Sequence, residues 1–540
     1  MDEIDGVRIA VEGCGHGTLD AIYSSTRIAC EKRGWPNVDL LIIAGDFQAA
    51  RNAGDLLAMS VPSKYRRLGD FQAYYRGDKT APYLTIFIGG NHEASSHLLE
   101  LFYGGWVAPN MYYLGAANIL RFGPLRIAGL SGTYNEPDYN LTHHERLPFL
   151  GRDVKSVYHV REIDVRKLLL VREQIDIGLS HDWPQGIEYL GDTEWLWQVK
   201  PHLKKESERG ELGNPAATNI MDRLRPAYWF SGHMHCKFSA IKSYPSAWSG
   251  NPKSATAKAE QQTGVSAAAA ATTEASSGVG ANPDEIDLDM GDDEGINDEA
   301  PPAEATGDAS SGPSTSAAVA DGVVPDELRA QLPASFAPSA PAKPALKPGQ
   351  PVPPSITNKK TRFLALNKCL PGREFLQLVD AVPVKRNHLR TYPPLKPQPG
   401  VKGKAQQRYR LEYDPEWLAI TRVFAPLVSI GIRDAVPPED LGEAAYRPMI
   451  DRERDWVEEH IVRAGKLHIP NNFARTAPPQ KKGDKQSSTQ NKLREFRNPQ
   501  TTLFCKRLGI PDLWDTPESE GAEPQNTPAE DLPAPNSPET

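Results

Sequence analysis

The stretch RIAVEGCGHGTLD, residues 8–20, decides the fold prediction, because it joins an apolar run to a helix through a glycine-rich turn. The run VRIAVE (7–12) has the length and composition of a buried strand. A turn after such a strand needs glycines, but it has no structural need of a thiol two residues from an imidazole. Cys14 and His16 are therefore candidates for chemistry at the end of this strand.

The chain from about residue 6 to 245 alternates strands and helices, which predicts an α/β fold. The segment 18–34 reads as the first helix, with Thr18 as N-cap, Gly34 as stop and helical spacing of Leu19, Ile22 and Ile28. Several apolar runs are continuous, as in strands that are buried on both faces. The predicted strands are VRIAVE (7–12), VDLLIIA (38–44), LTIFIG (84–89), LRIAGL (125–130), IDIGLS (175–180) and AYWFSG (227–232).

Side chains with metal-binding chemistry follow five of these strands. Ligands in open α/β sheets bind beyond the carboxyl ends of the strands, so we expect these side chains to face one site. Each alone has an ordinary explanation, since an Asp after a strand is commonly a turn residue and a His-x-His is commonly a surface pair. Their recurrence at successive strand ends favours a metal site, with these ligands: Cys14, His16, Asp46, Asn91, His181, His233 and His235.

The number of candidate ligands predicts two metal ions. Seven ligands are more than a single ion can accommodate while it also keeps one coordination position open for substrate. Asp46 has two carboxylate oxygens and can bridge a pair of ions. Two ions about 3.5–4 Å apart clamp the attacking and leaving oxygens of a phosphoryl displacement. The pattern therefore indicates phosphoryl chemistry.

The amino-acid composition limits the classes of protein to which the chain can belong. The chain has 540 residues, of which 39% are hydrophobic and 48 are proline, so part of it is expected not to fold. The net charge of −8 does not indicate a basic nucleic-acid-binding protein as a whole. Five widely spaced cysteines indicate free thiols in a reducing compartment. The start MDEID lacks the features of a secretory signal, and no run approaches the ~20 apolar residues of a membrane helix.

Changes in composition divide the chain into four regions. Residues 6–245 form the predicted catalytic domain. Residues 246–358 are acidic and rich in Ala, Pro and Ser, which predicts a disordered insert because such a segment cannot offset its ordering entropy. Aromatic and aliphatic residues return in 359–512, which predicts a partly ordered C-terminal region. Residues 513–540 form a predicted disordered tail.

The motif order Asp-x-His, Gly-Asp, Gly-Asn-His-Glu, His and Gly-His-x-His resembles that of calcineurin-like metallophosphoesterases, with Cys14 where most members have Asp. The segments GDFQAARN, IFIGGNHEAS, YGGWVAPNMYYLG, SVYHVR, LSHDWP and ALNKCLPGREFLQ are similar to those of RNA lariat debranching enzymes. The likeness covers 6–245 and recurs in patches from 361 to about 512. It implies a metallophosphoesterase-type β-sandwich flanked by helices, with the insert and a smaller C-terminal region packing on it.

The resemblance implies a role for each candidate ligand. Cys14, His16, Asp46 and His235 would surround one ion, and Asp46, Asn91, His181 and His233 the other. The thiolate favours Zn²⁺ in the first site and the harder second site favours Fe²⁺, with Mn²⁺ able to substitute. His92 would be the general acid that protonates the leaving oxygen, or else a hydrogen-bond donor to the phosphate. The implied reaction is hydrolysis of the 2′–5′ phosphodiester at the branch point of intron lariats.

The segment 131–161 is too long for a common connection and is therefore expected to be functional. It corresponds to the lariat recognition loop of the family that the chain resembles. Aromatic side chains interleaved with cations suit single-stranded RNA, because they stack on bases and bind phosphates. The candidate substrate contacts here and in the basic cluster 62–79 are Tyr134, Tyr139, Tyr158, Arg161 and Lys64.

Two other functions remain open from the sequence. The first is hydrolysis of another phosphodiester or phosphomonoester, although the protein-phosphatase motif Gly-Asp-x-x-Asp-Arg-Gly is absent after Gly45. The second is an inactive RNA-binding scaffold, which retention of every expected ligand disfavours. The expected partner is branched intron lariat RNA, with a protein partner for the acidic insert as a further candidate. The expected location is the nucleus, with the cytoplasm as a second compartment and no membrane association.

Overall fold

The structure is a computed structural model that describes residues 6–244, 351–395, 407–481 and 493–514. Its strands are β1 Val7–Glu12, β2 Leu40–Ile43, β3 Thr85–Phe87, β4 Gly105–Ala108, β5 Met111–Tyr113, β6 Ala117–Phe122, β7 Leu125–Leu130, β8 Ile177–Ser180, β9 Tyr228–Ser231, β10 Phe238–Ser243, β11 Lys360–Ala365, β12 Leu376–Ala381 and β13 Leu411–Tyr413. Its α-helices are α1 Leu19–Arg33, α2 Phe71–Arg76, α3 Ser95–Leu99, α4 Glu136–Tyr139, α5 Asp153–Ser156, α6 Glu162–Leu169, α7 Thr193–Val199, α8 Pro201–Arg209, α9 Pro215–Leu224, α10 His388–Thr391, α11 Pro415–Phe424, α12 Gly442–Val457 and α13 Pro499–Leu508.

The described strands form two mixed sheets. The first has the order β12-β1-β2-β3-β5-β4, and the second has the order β10-β11-β9-β8-β7-β6-β13. The strands β1, β2 and β3 run parallel to one another, as do β7, β8 and β9 in the second sheet. All six strands that the sequence predicted are present, which confirms the α/β class.

The core explains why these strands are apolar on both faces. Val7, Ile9 and Val11 of β1 belong to a buried cluster that also contains side chains of the second sheet, so the two sheets share one core. Ala10 of β1 belongs to a separate cluster with residues of α1 and α2, which cover the other face. This arrangement is the β-sandwich with flanking helices that the resemblance implied.

Helix α1 follows the metal-binding turn and ends where the sequence predicted. Gly34 adopts the left-handed conformation at its C-terminus, with a φ of 71°. Thr18 is the N-cap residue, as predicted, but its side chain makes no capping hydrogen bond, because its hydroxyl donates to the carbonyl of Gly15 within the turn. Ile28 lies on the exposed side of the helix, while Leu19 and Ile22 are buried.

The C-terminal region is built into both sheets. Strand β11 lies between β9 and β10, where it is parallel to β9 and antiparallel to β10. Strand β12 pairs antiparallel with β1 at the edge of the first sheet, and β13 pairs with β6. The region therefore completes the sandwich as well as packing on it.

A buried ion-pair network attaches helix α11 to the second sheet. Asp414 accepts hydrogen bonds from Arg126 Nη2 at 2.7 Å and from Arg121 Nε at 2.8 Å, and it caps α11 by accepting from Trp417 N at 3.1 Å. Burial alone would raise the pKa of Asp414, but the two guanidinium groups outweigh it and hold this pKa well below its usual range.

Most of the predicted insert 246–358 and of the predicted tail 513–540 lies outside the described residues. The described part of the insert, 351–358, is packed: Ile356 is buried, and Thr357 N donates to Gln174 Oε1 at 2.9 Å. The ordered C-terminal region thus begins before residue 359, which corrects the predicted boundary. Across the described ranges, the helices lack the combined length and apolar character that a membrane span requires.

Candidate active site

Five strand ends deliver the predicted ligands to one place. Cys14 and His16 follow β1, and Asp46 follows β2. Asn91 follows β3, His181 follows β8, and His233 and His235 follow β9. The parallel strands of both sheets end on the same side, so residues far apart in sequence become neighbours.

Four of these residues form the first cluster. The ligand atoms of Cys14, His16, Asp46 and His235 all lie within 4.8 Å of one another. The Nε2 atoms of the two histidines are 3.1 Å apart, and His16 Nε2 lies 3.5 Å from Asp46 Oδ2. Burial lowers the pKa of His16 to about 4 and also lowers that of His235, so both rings are neutral and keep lone pairs for a cation. A thiolate, two imidazoles and a carboxylate suit a divalent transition metal.

The remaining ligands surround the other side of Asp46. His181 Nε2 lies 3.4 Å from Asp46 Oδ1 and 3.2 Å from Asn91 Oδ1. Its Nδ1 lies 2.8 Å from the carbonyl of Ala44, so a proton on Nδ1 directs Nε2 into the site. The ring of His233 is 4.9 Å from that of His181, and burial lowers its pKa to about 3. The residues thus fit two ions that share Asp46.

The backbone at the site is strained. His16, Asp46, His233 and His235 all have positive φ angles, between 40° and 66°, which side-chain-bearing residues rarely adopt. Such residues cluster at functional sites, where the surrounding fold enforces the conformation. The close packing also explains Gly90, because a Cβ there would lie 2.2 Å from Asp46 Oδ1. The strain therefore points to this site independently of the residue types.

Glu93 holds the Asp46 turn in this strained conformation. Its buried carboxylate accepts hydrogen bonds from Phe47 N and Gln48 N, each at 2.8 Å, and from Gly90 N at 3.0 Å. The sequence analysis assigned no role to Glu93. Its position directly after Asn91 and His92 marks it as part of the same motif. Its role could not be predicted from that position, because its hydrogen-bond partners include a turn more than 40 residues away in sequence.

His92 lies at the edge of the metal centre. Its backbone N–H donates to Asp46 Oδ1 at 2.8 Å, and its ring Nδ1 lies 3.4 Å from Asp46 Oδ2. The side chain is 15% exposed and its ring centroid is 5.6 Å from that of His16. The ring is thus adjacent to both predicted ion positions and accessible from outside.

Comparisons with known proteins give the family. A model of calcineurin-like phosphoesterases matches residues 7–237, and a model of the lariat debranching enzyme C-terminal domain matches 358–513. The chain is 37% identical over 507 residues to the lariat debranching enzyme of Schizosaccharomyces pombe, covering 93% of this chain and 96% of that one. It is 35% identical to the human lariat debranching enzyme over 94% of this chain and 70% of that one, and 33% identical to that of Arabidopsis thaliana over 94% and 88%. The chain belongs to the lariat debranching enzyme family. The similarity to this family extends over the regions on both sides of the insert.

The segment 131–161 of this debranching-enzyme family member has a backbone contact with a residue next to a candidate metal ligand. The carboxylate of Asp182, next to the ligand His181, accepts a hydrogen bond from the backbone N–H of Tyr134. The rings of Tyr134 and Tyr139 are 5.3 Å apart and both are half-buried. Two predicted aromatic contacts thus lie next to each other, with their backbone joined to the site.

Arg161 has a structural role in the same loop. Its side chain is fully buried, and its guanidinium donates to Glu145 Oε1 at 2.5 Å, to the carbonyl of Asp138 at 2.7 Å and to that of Ser156 at 2.9 Å. The charge of Arg161 is therefore paired inside the loop, and its contact with substrate stays a prediction that this position does not favour. Sequence shows that a cation is present but not that it is buried.

Tyr158 and Lys64 lie where the loop meets the basic cluster. Tyr158 is half-buried, and its hydroxyl is 3.2 Å from Ser60 Oγ. Lys64 is exposed, with its ammonium 4.7 Å from the ring centroid of Tyr65. A small pocket opens between this loop and the turn that carries the candidate ligand Asn91, and Tyr158 is part of its lining. These side chains remain predicted RNA contacts.

Proposed function

We propose that this chain hydrolyses the 2′–5′ phosphodiester at the branch point of excised intron lariats and releases a linear intron. The single observation that carries the proposal is that the other six predicted ligands lie around Asp46, in a chain of the lariat debranching enzyme family. The relatives are lariat debranching enzymes, which indicates the substrate, and the predicted recognition loop supports it.

The donor atoms support a mixed metal pair. The first site contains the Cys14 thiol, and soft sulfur ligands favour Zn²⁺. The second contains an amide oxygen, a carboxylate and two imidazoles, which suit Fe²⁺, with Mn²⁺ as a substitute. When bound, two divalent ions activate the attacking water and neutralise charge that develops at phosphorus. Asp46, with two carboxylate oxygens, would contribute to both positions.

His92 is proposed as the general acid. The leaving group is the 2′-oxygen of the branch nucleotide, which needs a proton when its bond to phosphorus breaks. The position of His92 beside Asp46 and its partial exposure place an imidazole at the rim, where it can hold a proton toward that oxygen. A positioned acid of this kind contributes about 10²–10⁴-fold to the rate.

The recognition loop is proposed to hold the RNA. Tyr134, Tyr139 and Tyr158 offer rings for stacking on bases, and Lys64 offers a cation for a phosphate. The pocket beside the Asn91 turn, which Tyr158 lines, opens next to these side chains. These contacts would bind single-stranded RNA without a basic surface over the whole protein, which agrees with the net charge of −8.

The test is a comparison of four reactions by the purified chain. Branched RNA with a 2′–5′ linkage is expected to be debranched, whereas linear RNA and a phosphopeptide are expected to remain intact. Chelator is expected to abolish debranching, and added Zn²⁺ with Fe²⁺ or Mn²⁺ to restore it. Hydrolysis of the phosphopeptide instead would favour the general phosphoesterase, and metal-independent RNA binding without hydrolysis would favour the inactive scaffold.

The cellular setting is proposed on the same basis. Lariats are produced by splicing, so we place the chain in the nucleus, with the cytoplasm as a second compartment. The acidic run in the insert is proposed to bind a basic protein partner through charge complementarity. Localisation of a tagged full-length chain, compared with a chain that lacks 255–350, tests both proposals together with partner capture.

A further inference from the structure

The turns that follow β1 and β2 are joined through their backbones. His16 N donates to the carbonyl of Asp46 at 2.6 Å, and Gly15 N donates to the carbonyl of Gly45 at 3.3 Å. This pairing brings Gln48, two residues beyond Asp46, to the ring of His16, where its side-chain Nε2 lies 3.3 Å from His16 Nδ1. A side chain from one ligand-bearing turn therefore contacts a candidate ligand on the other.

Gln48 contacts the nitrogen of His16 that faces away from the first cluster. His16 Nε2 lies 3.1 Å from His235 Nε2 and 3.5 Å from Asp46 Oδ2, so Nε2 is the atom placed to bind a cation. A metal-bound imidazole offers a lone pair from one nitrogen and carries its proton on the other, and the partner of that second nitrogen fixes the tautomer. Gln48 occupies the position of this partner for His16.

The amide of Gln48 differs from the partner of the ligand His181. His181 Nδ1 lies 2.8 Å from the carbonyl of Ala44, which is an acceptor only. An amide carries a donor and an acceptor and exchanges their places by a half-turn about its last bond. Its oxygen can therefore accept from His16 Nδ1–H, which leaves Nε2 free for a cation. The partner of His16 is a side chain, so it can be replaced without altering any ligand.

The backbone conformation of Gln48 shows that the turn itself does not require this side chain. Its φ is 62°, in the left-handed region that favours glycine. Its N–H donates to Glu93 Oε2 at 2.8 Å, and its carbonyl accepts from Ala50 N at 2.8 Å. Glycine would make both backbone hydrogen bonds with less steric strain. The contact with His16 is the interaction that a glycine at this position could not make.

We propose that Gln48 is a positioning residue that holds the ring of His16 with Nε2 toward the first metal site. This inference rests on the proposed function, because it concerns the metal pair of that function. Gln48 acts on the affinity of the first site through His16 and is not itself a ligand. The second site, to which Asn91 and His181 contribute, does not depend on it.

The test uses three substitutions of Gln48 that separate the amide from the backbone. Gln48→Met keeps the length of the side chain and removes the amide, Gln48→Glu keeps an oxygen that accepts from Nδ1–H, and Gln48→Gly removes the side chain and suits the positive φ. Gln198→Met, at an exposed position on α7, is the matched control.

Two measurements are made on the full-length parent and on each variant. Co²⁺ is titrated into protein that has been freed of metal by chelator, and the near-ultraviolet absorption of thiolate-bound Co²⁺ is followed. This band reports on the first site alone, because Cys14 is the thiol among the candidate ligands. Urea unfolding is measured in the presence of chelator, so that bound metal does not contribute to stability.

Gln48→Met and Gln48→Gly are expected to weaken Co²⁺ binding at the thiolate site by about 10–100-fold, as loss of such a partner of a ligand commonly does. Gln48→Glu is expected to bind Co²⁺ at least as tightly as the parent, because a carboxylate also accepts from Nδ1–H and raises the basicity of the ring. The urea midpoint of Gln48→Gly should stay close to that of the parent. Loss of metal affinity without loss of stability separates a positioning role from a structural one.

Three results would each overturn the proposal: equal Co²⁺ affinity of Gln48→Met and the parent, equal losses in Gln48→Glu and Gln48→Met, or losses of affinity only in variants whose urea midpoint also falls. If the parent shows the thiolate band and debranches RNA in those cases, only the role of Gln48 fails. A parent that binds Co²⁺ but leaves branched RNA intact would overturn the proposed function, while the band would still decide the role of Gln48. A parent without the band would overturn the first metal site and the role of Gln48 together.

Discussion

His92 is joined to Asp46 at two points: its backbone N–H donates to Oδ1 at 2.8 Å, and its ring Nδ1 lies 3.4 Å from Oδ2. The carboxylate at the middle of the candidate metal centre therefore also fixes the neighbouring imidazole. In the proposed function, metal ligation by Asp46 and proton transfer by His92 would therefore be coupled through one side chain. The separate contribution of the ring can be measured, because the backbone contact survives a change of the side chain.

His92→Ala is expected to lower kcat on branched RNA by about 10²-fold or more, because the leaving 2′-oxygen loses its proton donor. Both ions should remain bound, and a substrate with a better leaving group should recover much of the rate. Steady-state kinetics and elemental analysis provide the measurement, with His202→Ala as a control for an exposed histidine on α8. A loss of metal in His92→Ala would instead identify a ligand or structural role.

Cys14→Asp is expected to retain the fold and some activity but to weaken the preference of the first site for zinc. A carboxylate is a harder ligand than a thiolate, and hard ligands favour manganese and iron. The parent and the variant are loaded anaerobically from equal mixtures of zinc, iron and manganese, and bound metal is measured. An equal zinc share in both proteins would mean that the thiol does not select the metal.

Deletion of residues 255–350, replaced by a short Gly/Ser linker, is expected to leave debranching of a short branched RNA within about twofold. Ser243 and Lys360 are paired residues on the antiparallel strands β10 and β11, so the described strands before and after the deletion are neighbours. No candidate ligand or loop residue is removed. Rates of the deletion protein and the parent are compared after circular dichroism has established folding. A large fall in a folded protein would place the insert in the catalytic machinery.

Asp414→Asn is expected to destabilise the protein at neutral pH by about 3–5 kcal/mol, because Arg126 and Arg121 lose a buried charged partner. The folded-state pKa of Asp414 lies below its unfolded value, so its contribution is present above that unfolded value of about 3.9 and is lost as the pH falls below it. Urea unfolding from pH 3 to 7 should thus show a steeper acid decline for the parent than for the variant. Asp455→Asn, at an exposed position on α12, is the control. Parallel pH profiles of Asp414→Asn and the parent would contradict this.

Arg161→Ala is expected to destabilise the recognition loop by about 3–5 kcal/mol, since Glu145 would keep a buried charge without its partner. KM for branched RNA should rise, whereas hydrolysis of a small chromogenic phosphodiester should change little under conditions where the variant is folded. Arg152→Ala removes an exposed cation of the same loop and serves as the control. Equal effects of the two substitutions on RNA and on stability would mean that Arg161 acts through its charge at the surface.

Much of the fold and of the site could be predicted from local pattern. Continuous apolar runs predicted six strands, and the carboxyl-end rule placed Cys14, Asp46 and His181 together although they are far apart in sequence. The strands β4 to β6 were missed because they are short and connected by tight turns, as at Asn110 with a φ of 66°. The position of β11 between β9 and β10 could not be predicted, because no local sequence pattern indicates which strand a segment pairs with. The partners of the Thr18 hydroxyl and of the Arg161 guanidinium could not be predicted for a related reason: a residue type shows what a side chain can bind, and the fold decides which groups it contacts.

The insertion of β11 between β9 and β10 has consequences for truncating mutations and for protein engineering. A premature stop codon anywhere in residues 246–358 yields a polypeptide with every metal ligand but with a gap inside its second sheet. Such an allele should behave as a null, because unpaired backbone would line that gap. Two separately expressed pieces, divided within 255–345, should by contrast reassemble through strand pairing and restore activity. The long hydrophilic stretch is thus a natural place for a split-protein reporter, in which two halves become active only when they meet.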